Sequence, residues 1–364
     1  MKHIPTLTLF ATAVFCTTYA WADVPHTYTN QISAHNIAAF QQSIITTAQK
    51  SFNNPTQLQK TQHAAKKQMA TYHKTDKSAY GRPQMYGTMP MYGEFNDDGT
   101  GRSGGDTINS SLDNIWINWD HAQDNLAFDN IERIDSDYDN IMFGLSGGAT
   151  KLGTKTFSQW GTYTGYIDAE TSAQNINIDT RGGYLGIYNS LTWDMLNIAT
   201  IINGGVTDNA AEIIHGTDNF TNFWLSGNIN ATYNIVLDKT FVLQPGVWAG
   251  YTWIKSDNYT SISGDEIASD NFSIWQIAPN VRATKYIGSG WTGSIGAKHV
   301  MTFMQNGDLR INNAIAPELE SDNYTEYDLR LEKSIGNVML SVGIGRRDGG
   351  RDGWIGSGNI KIQF

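Results

Sequence analysis

The sequence predicts an all-β fold: a 12-stranded antiparallel transmembrane β-barrel, preceded by a short helical and loop segment. Three observations carry this. From Leu112 to Phe364 apolar and polar residues alternate with period two, which is the spacing of strands whose two faces meet different surroundings. The strands so read are joined alternately by tight turns and long polar loops, as in a barrel whose rims face two compartments. The composition is 16% charged with 36 glycines and 12% aromatics, against roughly 25% charged in an ordinary soluble domain. No run approaches the roughly 18 apolar residues of a membrane helix. The net charge of −10, with 25 scattered Lys and Arg, also argues against nucleic acid as a partner, because phosphate contacts need clustered cations.

The N-terminus is read as a secretory signal peptide spanning residues 1–22. Met1-Lys2-His3 is basic, Leu7 to Cys16 is apolar, and Ala20-Trp21-Ala22 gives the small-x-small cleavage pattern. The expected partner is the Sec translocon, with cleavage after Ala22. Cys16 lies inside this segment, and Phe15 occupies the place where a lipoprotein box needs a small residue. The mature chain of 342 residues then has no cysteine. An exported protein of that size without a disulfide needs another source of stability, and a closed sheet supplies one.

Residues 23–111 read as a short helical and Gly-rich passenger or linker. Ile32, Ile37, Phe40, Ile44 and Ala48 fall at helical spacing, as do Leu58, Ala65, Met69 and Tyr72, with Asn53-Asn54-Pro55 breaking them into two helices. Residues 81–106 are rich in Gly, Pro and Met and read as a loop.

Residues 112–364 supply the strands, expected near 112–123, 138–149, 158–168, 181–193, 195–205, 220–237, 240–255, 271–287, 290–304, 323–334, 337–346 and 353–364. Tight turns are expected at Asp194, Asp238-Lys239, Gly288-Ser289 and Gly336-Asn337, with a longer turn at 151–157. Long polar loops are expected at 124–137, 169–180, 206–219, 256–270 and 305–322, and a shorter one at 347–352. An even strand count returns both ends of the barrel to one rim. A charge on the midplane of the lipid face costs roughly 2–4 kcal/mol. Accordingly most charges in the strands, among them Arg282, Lys298, Lys361 and the set Glu326, Asp328, Arg330, Glu332, fall on the polar face, whereas His299 points outward, unless a bulge or a one-residue register shift removes it. Trp160, Trp193, Trp253, Trp291 and Trp354 lie near strand ends, where interfacial girdles sit.

Several of these segments resemble a known family. Gly183-Tyr184-Leu185-Gly186-Ile187-Tyr188, Phe241-Val242-Leu243-Gln244-Pro245-Gly246, Tyr251-Thr252-Trp253 and the terminal Asn359-Ile360-Lys361-Ile362-Gln363-Phe364 are similar to strands of the autotransporter (type V secretion) β-domain. The barrel region of about 253 residues has that family's usual size. The resemblance implies a barrel in the outer-membrane lipid bilayer of a Gram-negative cell, with a helix through the pore. It also implies insertion by the barrel assembly machinery, which reads the final strand; Ile360, Ile362 and Phe364 are the residues expected to carry that signal. Family members usually carry a solenoid passenger of hundreds of residues, whereas here 89 residues separate the expected cleavage site from the barrel.

Candidate chemistry is thin, so the chain is read as not an enzyme. Gly144-Leu145-Ser146-Gly147-Gly148 matches G-x-S-x-G but sits in an apolar strand, whereas a nucleophile elbow joins strand to helix. Asp120-His121 with Asp124 could form an acid–base pair at a barrel rim. Asp124, Asp129, Glu132, Asp135, Asp137 and Asp139, and Asp265, Glu266 and Asp270, could offer oxygen ligands to Ca²⁺, but without EF-hand spacing. Asn53-Asn54 with lumenal Glu326 and Asp328 invites comparison with family members that cut themselves inside the pore, but Pro55 and the flanks depart from that motif. No catalytic, cofactor-binding or metal-binding residue is assigned. Three functions are open: a translocator displaying its own N-terminal segment, a passenger-less pore or structural barrel, and an adhesin or rim enzyme with acidic loops.

Overall fold

The computed structural model describes residues 24–52 and 112–364, apart from 129–130, 154, 174–175, 214–215, 270, 306–308, 313 and 317–320. Among the described residues one helix, α1 (Val24–Phe52), precedes twelve long strands: β1 (Leu112–Phe128), β2 (Ile131–Gly147), β3 (Thr156–Ala173), β4 (Ile176–Trp193), β5 (Leu196–Ile213), β6 (Gly216–Tyr233), β7 (Phe241–Ser256), β8 (Phe272–Gly288), β9 (Trp291–Gln305), β10 (Tyr324–Ile335), β11 (Val338–Gly349) and β12 (Arg351–Gln363). Each strand pairs antiparallel with the next, and β12 returns to β1, running from Asn114↔Gln363 to Leu126↔Arg351. Closure leaves no edge strand in the wall, as a sheet in hydrocarbon requires.

The two faces follow the pleat. On β1 the even residues Asn114, Trp116, Asn118 and Asp120 point into the lumen, and the odd residues Ile117 and Trp119 are exposed on the outside. His299 does point outward, in unbroken register on both sides; its ring Nδ1 lies 3.0 Å from Thr325 Oγ1 on the neighbouring strand, so no bulge is needed. Trp160, Trp193, Trp291 and Trp354 are exposed on the outer face.

The turns anticipated at one rim are present. Asp194 (φ 54), Ser289 (φ 51) and Gly336 (φ 58) take the left-handed conformation at hairpin tips. In the 234–240 connection Asp238 accepts hydrogen bonds from the Thr240 amide (2.6 Å) and hydroxyl (2.8 Å), which hold its carboxyl below the ordinary value. The opposite rim differs from the sequence reading. Residues 124–137, 169–180 and 206–219, expected as long loops, are mostly strand: β1 to β6 run for 17 or 18 residues each and leave only two residues between Phe128 and Ile131, Ala173 and Ile176, and Ile213 and Gly216. Likewise β11 reaches Gly349 and β12 begins at Arg351, so 347–352 is a tight corner. A bilayer crossing needs only about 9–11 residues, so these strands rise beyond it.

The physical reason is an inversion of the two faces. Above the apolar band the outside meets water and becomes polar (His121, Gln123, Asn125), while the inside becomes apolar. Leu126, Phe128, Ile134, Ile176, Ile178, Ala211, Ile213 and Phe220 pack there around Ile32 of α1. Polar outward residues at that height look like loop in the sequence. The 257–271 and 306–323 segments do remain longer connections, and their short pieces Tyr259–Thr260, Glu266–Ser269, Leu309–Ile311 and Ala314–Ala316 form a separate four-stranded sheet beside the tall rim.

Candidate functional site

The lumen is filled by α1. Good helix formers (Ala34, Ala38, Ala39, Gln41, Gln42) dominate its middle, its one proline, Pro25, lies in the first turn where no amide bond is lost, and it stops at Phe52 before Asn53-Asn54-Pro55. Its 29 residues span about 43 Å. Residues 29–47 are buried nearly all round, so the anticipated apolar stripe of Ile32, Ile37, Phe40 and Ile44 is only part of what the wall covers. The other helix anticipated in the sequence, at Leu58 to Tyr72, lies outside the described residues.

Hydrogen bonds fix the direction of the helix. Near its N-terminal end Thr29 Oγ1 lies 3.4 Å from Tyr259 Oη, in the sheet beside the tall rim; burial pushes the Tyr259 phenol up to about 12. Further down, Ser33 donates to Asn209 (2.8 Å), Asn36 to Thr171 (2.8 Å) and Gln42 to Tyr324 (2.9 Å), Asn203 donates to Gln41 (2.9 Å), and Ser43 donates to Asp120. The contacts descend the wall, so the N-terminal end of α1 faces the tall rim and its C-terminal end faces the turn rim, where β1 starts. From Val24 to Gln49 the helix has no Asp, Glu, Lys or Arg, so any charge in its contacts comes from the wall.

One wall is aromatic. Phe40 packs edge-on to Trp224 (5.4 Å) and stacks on Tyr184 (6.0 Å), and Tyr163, Tyr188 and Trp116 continue the layer. These rings lie flat because glycines stand directly across from them in register, Gly165 from Tyr184 and Gly161 from Tyr188. A Cβ on Gly165 would come within 2.2 Å of the Tyr184 ring, and one on Gly161 within 2.1 Å of Tyr188. The abundance of both Gly and aromatics thus makes room for a helix inside the barrel.

The other wall carries charge. Asp124, with a fully buried side chain, receives Arg347 and also Arg351 Nη1 at 3.1 Å. Arg347 Nε extends the network to Glu326 (3.2 Å), which pairs with Lys298 (2.8 Å). Arg351 Nη2 then donates to Asn36 Oδ1 (2.8 Å) and to the His35 carbonyl (3.3 Å). Within this cluster the wall pairs its own acids with its own cations and spends one guanidinium on clasping the helix.

The candidate residues are distributed as follows. Asp120 and Asp124 face inward and His121 outward, so the acid–base trio is divided by the sheet: neighbours in a strand point to opposite faces. Outside, His121 lies 3.5 Å from Asp137 and 3.3 Å from Asp139. Gly144 to Gly147 are strand β2, with no elbow. Asp265 accepts from Ser263 and Asn312, and Asp270 and Asn53-Asn54 lie outside the described residues. Glu326 and Asp328 do face the lumen, held by Lys298 and Arg282. Ile360, Ile362 and Phe364 are exposed on the outer face of the last strand, and the Phe364 amide bonds to the Asp113 carbonyl on β1 at 2.9 Å. Arg347, Arg351 and Asn36 were not singled out in the sequence; Arg347 and Arg351 fell in a presumed surface loop.

A closed twelve-stranded wall around a helix matches known structures. Similar solved structures include the transport unit of the autotransporter AIDA-I from Escherichia coli (TM-score 0.59, 15% identity, 71% of this chain and 92% of that one). The β-domain of the Bordetella autotransporter BrkA (0.57, 12%, 69% and 98%) and the translocator domain of NalP from Neisseria meningitidis (0.56, 11%, 71% and 90%) are similar too. At these identities the likeness is one of fold. A search of curated proteins by sequence gives no match. The deciding observation is in the sequence itself: the family described as Autotransporter beta-domain matches residues 115–346. The chain belongs to the autotransporter β-domain family. An autotransporter barrel is an outer-membrane translocator barrel, and the exposed apolar and tryptophan side chains of the outer wall are the surface such a barrel turns to lipid.

Proposed function

We propose that this barrel keeps its own N-terminal segment in the pore and presents the N-terminal end of that segment at the cell surface. The observation that carries the reading is the direction of α1, from Thr29 beside Tyr259 at the tall rim to Ser43 on Asp120 lower in the wall. In this reading the tight turns face the periplasm and the tall rim faces outward, following the general rule for such barrels. Residues 1–22 direct export through the Sec translocon and are removed after Ala22. Ile360, Ile362 and Phe364 then present the last strand to the barrel assembly machinery. Both ends of the 59-residue stretch 53–111 attach at the turn rim, so the segment presented is the one at the head of the helix rather than the whole of residues 23–111.

Single cysteines test this in a Cys16→Ser background, probed with a membrane-impermeant maleimide. Pro25→Cys is expected to react on intact cells, and Arg102→Cys only after permeabilisation. The reverse pattern would sink the proposed orientation. Labelling of neither before permeabilisation would sink surface presentation.

A further inference from the structure

A groove of about 500 Å³ crosses the lipid-facing wall between β7 and β12. It forms because the outward residues at its centre, Ala283 on β8 and Ala297 on β9, are too short to cover the sheet. The groove climbs diagonally from Leu243, near the turn rim, to Arg346 and Trp354. Arg346 stands between its cross-strand partners Tyr327 and Trp354, with its guanidinium over the Trp354 ring at 5.4 Å. It pairs with Asp352, and Arg133 reaches the same carboxylate at 3.8 Å. Two guanidiniums therefore share one acid, and both are solvent-accessible at 38% and 61%. Asp348 lies one pleat further up the strand, away from the groove.

An arginine at the end of an apolar channel, held upright by aromatic neighbours, is at headgroup depth, where a cation costs little and a phosphate can be taken by a planar fork of donors. We propose that the groove binds one acyl chain of an anionic membrane lipid whose phosphate is not masked by a headgroup cation, that phosphate being held by Arg346 and Arg133, which share a single carboxylate. The site lies on the outer wall, apart from the lumen and its helix.

The full-length protein in phosphatidylcholine nanodiscs containing a small fraction of phosphatidic acid, released for native mass spectrometry, provides the test. The wild type is expected to retain one phosphatidic acid. Arg346→Gln, which removes the charge, and Ala297→Phe, which fills the groove, each lower that retention roughly tenfold, while Asp352→Asn raises it by freeing both guanidiniums. Retained phosphatidylcholine and the Arg181→Gln control on the far side of the barrel stay unchanged. Heat-modified gel mobility confirms that each variant is folded. Equal retention in all variants overturns the proposal. So does loss with only one of the two lowering substitutions, because chain and headgroup are claimed to bind together. A dimer in place of the lipid adduct would assign the groove to a second copy and overturn it as well.

Discussion

Asp124 is the residue on which the charged wall turns. Its carboxylate is fully buried and takes two guanidiniums, one of which also holds the helix through Asn36 and the His35 carbonyl. Replacing a buried pair by apolar residues can be harmless, but removing one partner leaves the others charged and uncompensated, at about 3–5 kcal/mol. Asp124→Asn is therefore expected to lower strongly the temperature at which the folded barrel loses its fast gel mobility. Asp168→Asn, which breaks the exposed pair with Arg181, is expected to move it hardly at all, as exposed pairs contribute about 0–1 kcal/mol. Equal shifts in the two variants would show that the lumenal cluster is not the anchor described here.

At the scale of elements, α1 is held by shape as well as by hydrogen bonds. Phe40 fills the space between Tyr184 and Trp224, and truncating a buried Phe typically costs about 3–5 kcal/mol. If that contact locks the helix, a cysteine at the buried Ala38 position (Ala38→Cys) is protected in the otherwise wild-type barrel. It is expected to react with maleimide at least about a hundredfold faster when Phe40→Ala is added, taking about 1.4 kcal/mol per tenfold. An unchanged rate would mean that the hydrogen bonds of Ser33, Asn36 and Gln42 hold the helix by themselves. The helix was visible in the sequence through Ile32, Ile37, Phe40 and Ile44, and the family resemblance implied a helix through the pore, but the residues themselves did not show that it is buried on every side. Its polar residues look solvated until a polar wall surrounds them. The twelve strands were visible because lipid enforces an apolar outer face. Their upper thirds were not, because Leu126, Phe128, Ile134 and Ile178 turn inward where the outside is wetted and the alternation changes sign. Arg347 and Arg351 lie in a corner of the same kind, and a buried arginine and a loop arginine look alike in one sequence. The split of His121 from Asp120 and Asp124 needed only the period-two rule once the strand was known to continue through them.

For the whole molecule, the arrangement separates two jobs. The wall closes on itself through β12 and β1 and pairs its lumenal Asp124, Glu326 and Asp328 with its own cations, while α1 brings no Asp, Glu, Lys or Arg into the lumen between Val24 and Gln49. The barrel should therefore remain closed when the helix is taken away, because no ion pair of the wall is broken and the vacated surface of Asn118, Asn203, Asn228 and Asp120 can be hydrated. The helix, not the wall, is then what seals the pore. Removing residues 24–52 is expected to leave a heat-modifiable, folded barrel whose single-channel conductance in planar bilayers rises well above that of the intact protein. Arg351→Met, which loosens the clasp on the helix backbone without emptying the lumen, is expected to give intermittent openings to the same level. A folded deletion variant that conducts no better than the intact chain would mean that the wall itself closes the pore, and the helix would lose its role as the plug.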